Sequence, residues 1–278
     1  MASIVTSKDI QNALTEVGVT AGDTVLIHSS LKSFGTVEGG AQAVIDGVEA
    51  VLTKEGTLVM PTLSQVDFTN SYKTSYMDKP SDVGYLTEYF RKLPYVYRSN
   101  QETHSVAARG KLAYELTFEH KAYGPHICPF GEYAFSDSSP WMKMYRMNAK
   151  VLFFGVTMRV NTFKHVIEAR MVEKLLSDVV DDKERFELQK RVLKFGDDYP
   201  ANGIWLFYNS TLMQDVLEER GLIKKAACGD ATIICTEAKT CSDAAYEELM
   251  ADPEKWFGQE KTTAKIDWIN DCKAAAKK

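Results

Sequence analysis

The chain has 278 residues, 45% hydrophobic and 11% aromatic, enough to bury a substantial core in an α/β fold. A formal charge of −5 and a pI near 5.6 argue against nucleic acid as a partner, because phosphate backbones demand a dense basic footprint. Nothing approaches the roughly 18 consecutive apolar residues of a membrane span, and the polar, amphipathic opening ASIVTSKDIQNALTEVGVT is not that of a secretory leader.

The first predicted element is a helix over DIQNALTEVGV, where Ile10, Ala13, Leu14 and Val17 recur at helical spacing before Gly18. Thr24 to Ile27 is a short apolar run after Gly22-Asp23, read as a buried strand with the polar loop HSSLKSFG at its carboxyl end. Gly39-Gly40 opens a helix from Ala41 to Leu52, and TLVMP is a second short strand stopped by Pro61. Strand, helix and strand with short connections form a parallel α/β unit. Residues 62–82 show no periodicity and read as a long loop of the kind that serves function. A helix (TEYFRKL), a strand (YVYRS) and the segment THSVAARG follow, then an irregular stretch over residues 123–140. KVLFFGV is the most apolar strand, and Asn161-Thr162 start a helix running through His165, Glu168 and Arg170. ATIICT is one more strand among polar helices. With no repeat, linker or break in composition, residues 1–278 are expected to form a single large α/β domain. Its central, mostly parallel sheet would be flanked by helices, with long irregular loops at the ligand edge.

The strongest local chemical signal is NTFKHVIEAR, residues 161–170. Thr162, His165 and Glu168 lie at i, i+3 and i+6, spanning roughly 120° of a helix surface. A carboxylate one turn from an imidazole can orient the ring and raise its basicity, as a general base requires. Spacing alone favours the plainer reading of a surface pair, with Asn161 or Thr162 as a cap. HSSLKSFG lies where open α/β sheets bind ligands, and its serines and lysine suit an anionic or amide-rich cofactor arm. An ordinary hydrogen-bonded turn fits it equally. In HSVAARG, small residues after His104 and Ser105 would let a ligand approach the backbone, although His104 alone reads as structural.

Other chemistries find no support. G-x-S-x-G, G-x-G-x-x-G and G-x-x-x-x-G-K-[ST] do not occur, which disfavours an α/β-hydrolase, a dinucleotide fold and a P-loop. His126 and Cys128 form a lone H-x-C with no second pair at zinc spacing, so no metal is expected. Five scattered cysteines (Cys128, Cys228, Cys235, Cys241, Cys272) predict no disulfide framework and a cytoplasmic setting. The acidic excess would suit a cationic substrate, and solubility explains it as well.

Taken in order, GDTVLIHSSLKSFGTVEGGAQAVIDGV, GTLVMPTLSQVDF, Arg98-Ser99, HSVAARG, Pro129-Phe130-Gly131, Ser139-Pro140 and VLFFGVTMRVNTFKHVIEAR resemble the aminoglycoside 3-N-acetyltransferase family. The likeness covers about residues 8–170 and continues more weakly to GDATIICTEA. The R/Q-x-x-G-x-G/A pyrophosphate loop of the larger N-acetyltransferase superfamily does not occur. The resemblance implies acetyl transfer from acetyl-CoA to the 3-amino group of an aminoglycoside's 2-deoxystreptamine ring, hence antibiotic resistance. It makes His165 the base that takes a proton from the attacking amine, Glu168 its orienting partner, and Thr162 a candidate donor to the thioester oxygen. Transfer would be direct, without an acetyl-enzyme. By the same resemblance His28, Ser29, Ser30, Leu31, Lys32, Ser33, Ser105, Val106 and Ala107 contact acetyl-CoA, and Asp67 offers the cationic acceptor a carboxylate. Two departures stand on the expected acceptor side: Asn100-Gln101-Glu102-Thr103 replaces a His-Pro or Asn-Pro step, and no tryptophan follows Asp67. Transfer to a different amine metabolite, and a CoA-binding module without catalysis, are the alternatives, since a shared fold does not fix the acceptor.

Overall fold

The computed structural model describes residues 4–64, 77–124, 128–131, 133–193, 204–258 and 263–278. After strand β1 (Ile4–Val5), Thr6 caps helix α1 (Ser7–Glu16) reciprocally with Asp9. The Thr6 hydroxyl accepts from the Asp9 N–H, while the Thr6 N–H donates to Asp9 Oδ2 at 2.8 Å. This capping box starts the helix at Ser7, earlier than the apolar periodicity alone predicts. Strand β2 (Thr24–Ser29), a 3₁₀ turn (Leu31–Phe34), β3 (Thr36–Val37), α2 (Gly40–Leu52) and β4 (Thr57–Pro61) follow. Helices α1 and α2 pack closely at Gly47, where a Cβ would come within 2.9 Å of Ile10 Cβ.

Next come α3 (Tyr85–Arg91), β5 (Tyr97–Arg98), β6 (Val106–Gly110), α4 (Ala113–Thr117), α5 (Pro140–Arg146) and β7 (Lys150–Phe154). A second 3₁₀ turn (Met158–Val160) leads into α6 (Lys164–Ser177), then α7 (Asp182–Leu193) and α8 (Ser210–Glu219). The described chain ends on β8 (Lys224–Cys228), β9 (Ala231–Glu237), α9 (Ala238–Ala251), α10 (Pro253–Phe257) and α11 (Ala264–Ala275).

The main sheet has seven strands in the order β5-β6-β4-β2-β7-β9-β8. β2 pairs in parallel with β4 and β7, and the other pairings described in this sheet are antiparallel. The expected α/β architecture forms, but as a mixed sheet whose parallel part is central rather than general. At one edge β8 and β9 are joined by Gly229-Asp230 alone, which only an antiparallel pair permits. β8 (KKAAC) escaped the sequence reading because it lies at the sheet edge, with Lys224 and Lys225 exposed.

The central strands alternate between two cores. Val25 and Ile27 of β2, with Leu152 and Phe154 of β7, pack beneath α1, α2 and α3. Leu26, Val151 and Phe153 face the other way, under helices α4 to α11. Strands sealed on both faces read as continuous apolar runs, which is why β2, β4 and β7 were recognisable. Among the described residues no helix is long and apolar enough to cross a membrane, and all five cysteines are free thiols.

Candidate active site

The three parallel strands end together, and their carboxyl ends open a cavity of about 370 Å³. β2 contributes His28 and Ser29, β4 contributes Pro61 and, just beyond it, Leu63, and Val156 follows β7. The far wall is the stretch from Arg159 to His165, with Val83 and Thr87 closing a side. Gly155 makes this convergence possible. Its φ of +63° suits glycine, and a Cβ there would lie 2.4 Å from Ser33 Cβ, so the exit of β7 packs directly on the loop after β2.

Sequence local to the motif fixes the wall. Asn161 Oδ1 accepts from the Phe163 N–H at 3.0 Å, and the His165 N–H donates to Thr162 O at 3.1 Å. Thr162 therefore precedes the helix, and His165 and Glu168 occupy the first turns of α6. His165 is 7% exposed and Glu168 fully buried, with His165 Nδ1 2.7 Å from Glu168 Oε2. The indole N–H of Trp205 donates to the same Oε2 at 2.9 Å. An aromatic cage holds the imidazole: the ring centroids of Phe130 and Phe135 lie 4.3 and 5.5 Å from it, and His104 meets it edge-on at 5.5 Å. Burial, then the neighbouring Lys164 cation, pushes His165 well below its ordinary pKa of 6.5, so the ring is a neutral imidazole. Burial raises Glu168 to about 8, opposed by the cations of Lys164 and Lys265 and by the Trp205 hydrogen bond.

Behind the cage lies a polar network. Gln101 Oε1 accepts from the Thr103 N–H at 2.9 Å, Gln101 Nε2 donates to Phe130 O at 3.3 Å, and the Thr103 hydroxyl also reaches Phe130 O. Thr103 Oγ1 lies 2.8 Å from His104 Nδ1, and Trp141 Nε1 donates to His104 O at 2.9 Å. Gln101 and Thr103, expected on the acceptor side, are instead buried supports of the cage around the base. His104 is structural, as its residue type suggested, and burial keeps it neutral.

The structure brings His28, Ser29, Thr162 and His165 to one cavity, with Glu168 directly behind His165. Of the remaining residues expected to contact acetyl-CoA, Ser30, Leu31, Lys32 and Ser33 form the turn after β2, where Ser33 Oγ donates to Ser30 Oγ at 2.9 Å. Ser105 Oγ donates to Thr62 O at 2.9 Å and accepts from Arg98 Nε at 3.1 Å. Val106 and Ala107 are buried in β6, one in each core. None of these seven borders the cavity. Asp67 lies outside the described residues. Sequence reasoning missed Trp205, which sits 37 residues from Glu168 with no periodic link to it. It also missed Arg159 and Lys164 on the cavity wall, although one stands just before the motif and the other within it.

Comparison with known proteins places this geometry. The family profile described as "Aminoglycoside 3-N-acetyltransferase" matches residues 26–250. The SPbeta prophage-derived aminoglycoside N(3')-acetyltransferase-like protein YokD of Bacillus subtilis (strain 168) is 31% identical over 60% of this chain and 65% of its own length. Aminoglycoside N(3)-acetyltransferase IV of Salmonella sp is 31% identical over 56% of this chain and 55% of its own. The chain thus spans between about half and two-thirds of these two relatives.

Solved structures agree in fold. The apoenzyme of aminoglycoside acetyltransferase AAC(3)-IVa superposes with a TM-score of 0.70 at 23% identity, covering 96% of this chain and 99% of that one. A mutant of AAC(3)-IVa in complex with a gentamicin gives 0.68 at 22% identity, over 100% of this chain and 98% of that one. AAC-IIIb in binary complex with CoASH gives 0.64 at 17% identity, over 91% and 98%.

Proposed function

This chain belongs to the aminoglycoside 3-N-acetyltransferase family, and from that premise we propose that it transfers an acetyl group from acetyl-CoA to an amine of an aminoglycoside, at the 3-amino position, in the cytoplasm. The reading rests above all on one observation. A buried His165–Glu168 pair, 2.7 Å apart, stands at the wall of the cavity where the parallel strands end. CoASH on AAC-IIIb and gentamicin on AAC(3)-IVa support the choice of donor and acceptor classes.

Acetyl-CoA supplies the acetyl group as an activated thioester. The neutral imidazole presents the Nε2 lone pair and takes a proton from the amine as the new C–N bond forms. As the thioester C–S bond breaks it returns that proton to the departing thiolate, while Glu168, on Nδ1, balances the transient imidazolium. Thr162, on the same wall, donates to the acyl oxygen. His28 and Ser29 border the donor, since both line the cavity, and His28 Nε2 and Ser29 Oγ are buried without a protein partner. No acetyl-enzyme is needed, since the base acts on the amine itself. Thiol release from acetyl-CoA over a panel of aminoglycosides tests the reading. His165→Ala should lower kcat by about 10²- to 10⁴-fold with acetyl-CoA affinity preserved. A variant keeping most of its kcat would end the assignment of the base.

A second reading, transfer to a less charged amine metabolite, is favoured by one observation: no described carboxylate borders the cavity. We propose Asp67 as the acceptor's carboxylate. Asp67→Asn should then raise KM for polycationic acceptors and leave the acetyl-CoA KM alone, with the difference shrinking in added salt. Equal KM values for the two proteins would favour the second reading, and turnover of simple amines in preference to aminoglycosides would establish it.

A further inference from the structure

We propose that Arg159 and Lys164 form the phosphate-binding corner of this cavity, holding the anionic arm of the acetyl donor. The inference deepens the acetyl-CoA reading and rests on it. Arg159 belongs to the 3₁₀ turn before the motif, and Lys164 is the first residue of α6. Both border the cavity, and no described acidic residue does.

The lack of a partner at Arg159 is unusual among the described residues. Every other arginine among the described residues meets a carboxylate or, for Arg98, backbone carbonyls. Among the described residues Arg159 has no such side-chain partner, and the Lys164 ammonium makes no hydrogen bond or ion pair, although its charge also acts on the buried His165–Glu168 pair. Two cations on one concave wall attract an anion, and a guanidinium and an ammonium both match phosphate oxygens. The backbone that carries them is held from several sides. Thr157 accepts from the Arg159 N–H at 3.4 Å, Gln214 Oε1 accepts from the Met158 N–H at 2.8 Å, and Asn161 caps the next turn. A second observation points the same way. Across the cavity, its lining residues His28 and Ser29 carry a buried Nε2 and a buried Oγ with no protein partner, so unsatisfied polar groups occur in a second part of the lining.

The charge also sorts the two substrates. CoA carries a pyrophosphate and a ribose 3′-phosphate, which the cations favour. A polyammonium acceptor is repelled from the same corner and is steered to approach the base from elsewhere. Arg159 and Lys164 are thereby specificity residues that fix which substrate lies on which side of His165.

Calorimetric titration of CoA into the full chain tests this, using Arg159→Met and Lys164→Met, which keep the apolar stems and remove the charges. Each variant should bind CoA about 10-fold more weakly than wild type, with an unchanged thermal midpoint. The wild-type affinity should also fall more steeply with salt than that of either variant. With 3′-dephospho-CoA as ligand, loss of the difference between wild type and variants assigns the corner to the 3′-phosphate, and its persistence assigns it to the pyrophosphate. CoA bound equally by wild type and both variants, with equal salt dependence, overturns the corner while leaving the acetyl-CoA reading intact. A wild type that binds no CoA overturns both. Inorganic phosphate bound as tightly as CoA would mark a free-anion site and overturn the proposal.

Discussion

Glu168 Oε2 receives His165 Nδ1 and the Trp205 indole N–H together, and this shared oxygen decides which tautomer the base adopts. With Glu168 ionised, Nδ1–H donates to the carboxylate and Nε2 keeps its lone pair. With Glu168 protonated, the acid O–H donates to Nδ1, the ring carries its proton on Nε2, and the ring is no base on the cavity side. Burial raises the carboxyl to about 8, so the productive form grows as pH rises through that value. His165 itself, held well below 6.5, adds no protonation step near neutrality. Glu168→Gln removes the carboxyl step, leaves only the lower step of the ring, and moves the acidic limb of kcat/KM downward. The ratio of wild-type to mutant kcat/KM should therefore climb between about pH 6 and about pH 9, and the titration of the acceptor amine cancels in that ratio. A ratio that is flat over this range would dissociate Glu168 from the base. The spacing of His165 and Glu168 was legible in the sequence because it lies within one helical turn. Trp205 was not, because only the tertiary fold brings it to the pair.

Among the elements, those buried on both faces were the readable ones. β2, β4 and β7 are short apolar runs bounded by turn residues, and together they place the cavity. The two-residue strands β1, β3 and β5 carry almost no periodicity, and their pairing depends on neighbours distant in sequence. Of the stretch after β4 expected to be a long loop, residues 65–76 lie outside the described residues, and the residue that ties its described ends was noticed only as part of a resemblance. Arg98, on β5, donates to Thr62 O at 2.8 Å and Met77 O at 2.9 Å, and also to Lys79 O. It thus ties the chain leaving β4 to the chain returning toward α3, beside Leu63 on the cavity wall. Burial lowers the guanidinium only to about 10, so it stays charged at neutral pH. Arg98→Met should free both ends while leaving the base and the cation corner in place. We expect the acceptor KM to rise on the order of 10-fold, since several carbonyls lose a charged donor, with the acetyl-CoA KM unchanged. Donor and acceptor KM rising together would show instead that Arg98 supports the whole cavity.

Across the molecule, four of the described histidines are buried on or beside the sheet: His28, His104, His120 and His165. Burial is the first cause of depressed basicity in each, and it brings His28 and His120 down to about 3. The sign of the consequence follows from proton counting. Below pH 6.5 the unfolded chain protonates these rings and the folded chain does not, so stability is fully present above 6.5 and falls as pH drops toward the folded values. Each ring contributes a loss on the order of 1 kcal/mol by about one pH unit below 6.5. Glu168 and Glu173 act oppositely, since burial raises their folded values from 4.5 to about 8 and about 7, and their contributions are lost as pH rises across those windows. Four histidines outweigh two carboxyls in the acid range, so the urea-unfolding free energy should decline between about pH 6.5 and about pH 5. His120 reports this without touching the cavity. Its Nε2 meets Ala134 O at 3.0 Å and its Nδ1 meets Ser99 Oγ at 2.9 Å, which makes it a neutral ring donating at one nitrogen and accepting at the other. His120→Gln lowers stability at every pH by loosening that fit, but it removes one titrating ring. The acid slope should become shallower than that of wild type by about one histidine's share. If the mutant and wild-type curves run parallel from about pH 7 to about pH 5, ring burial is not what makes the fold sensitive to acid.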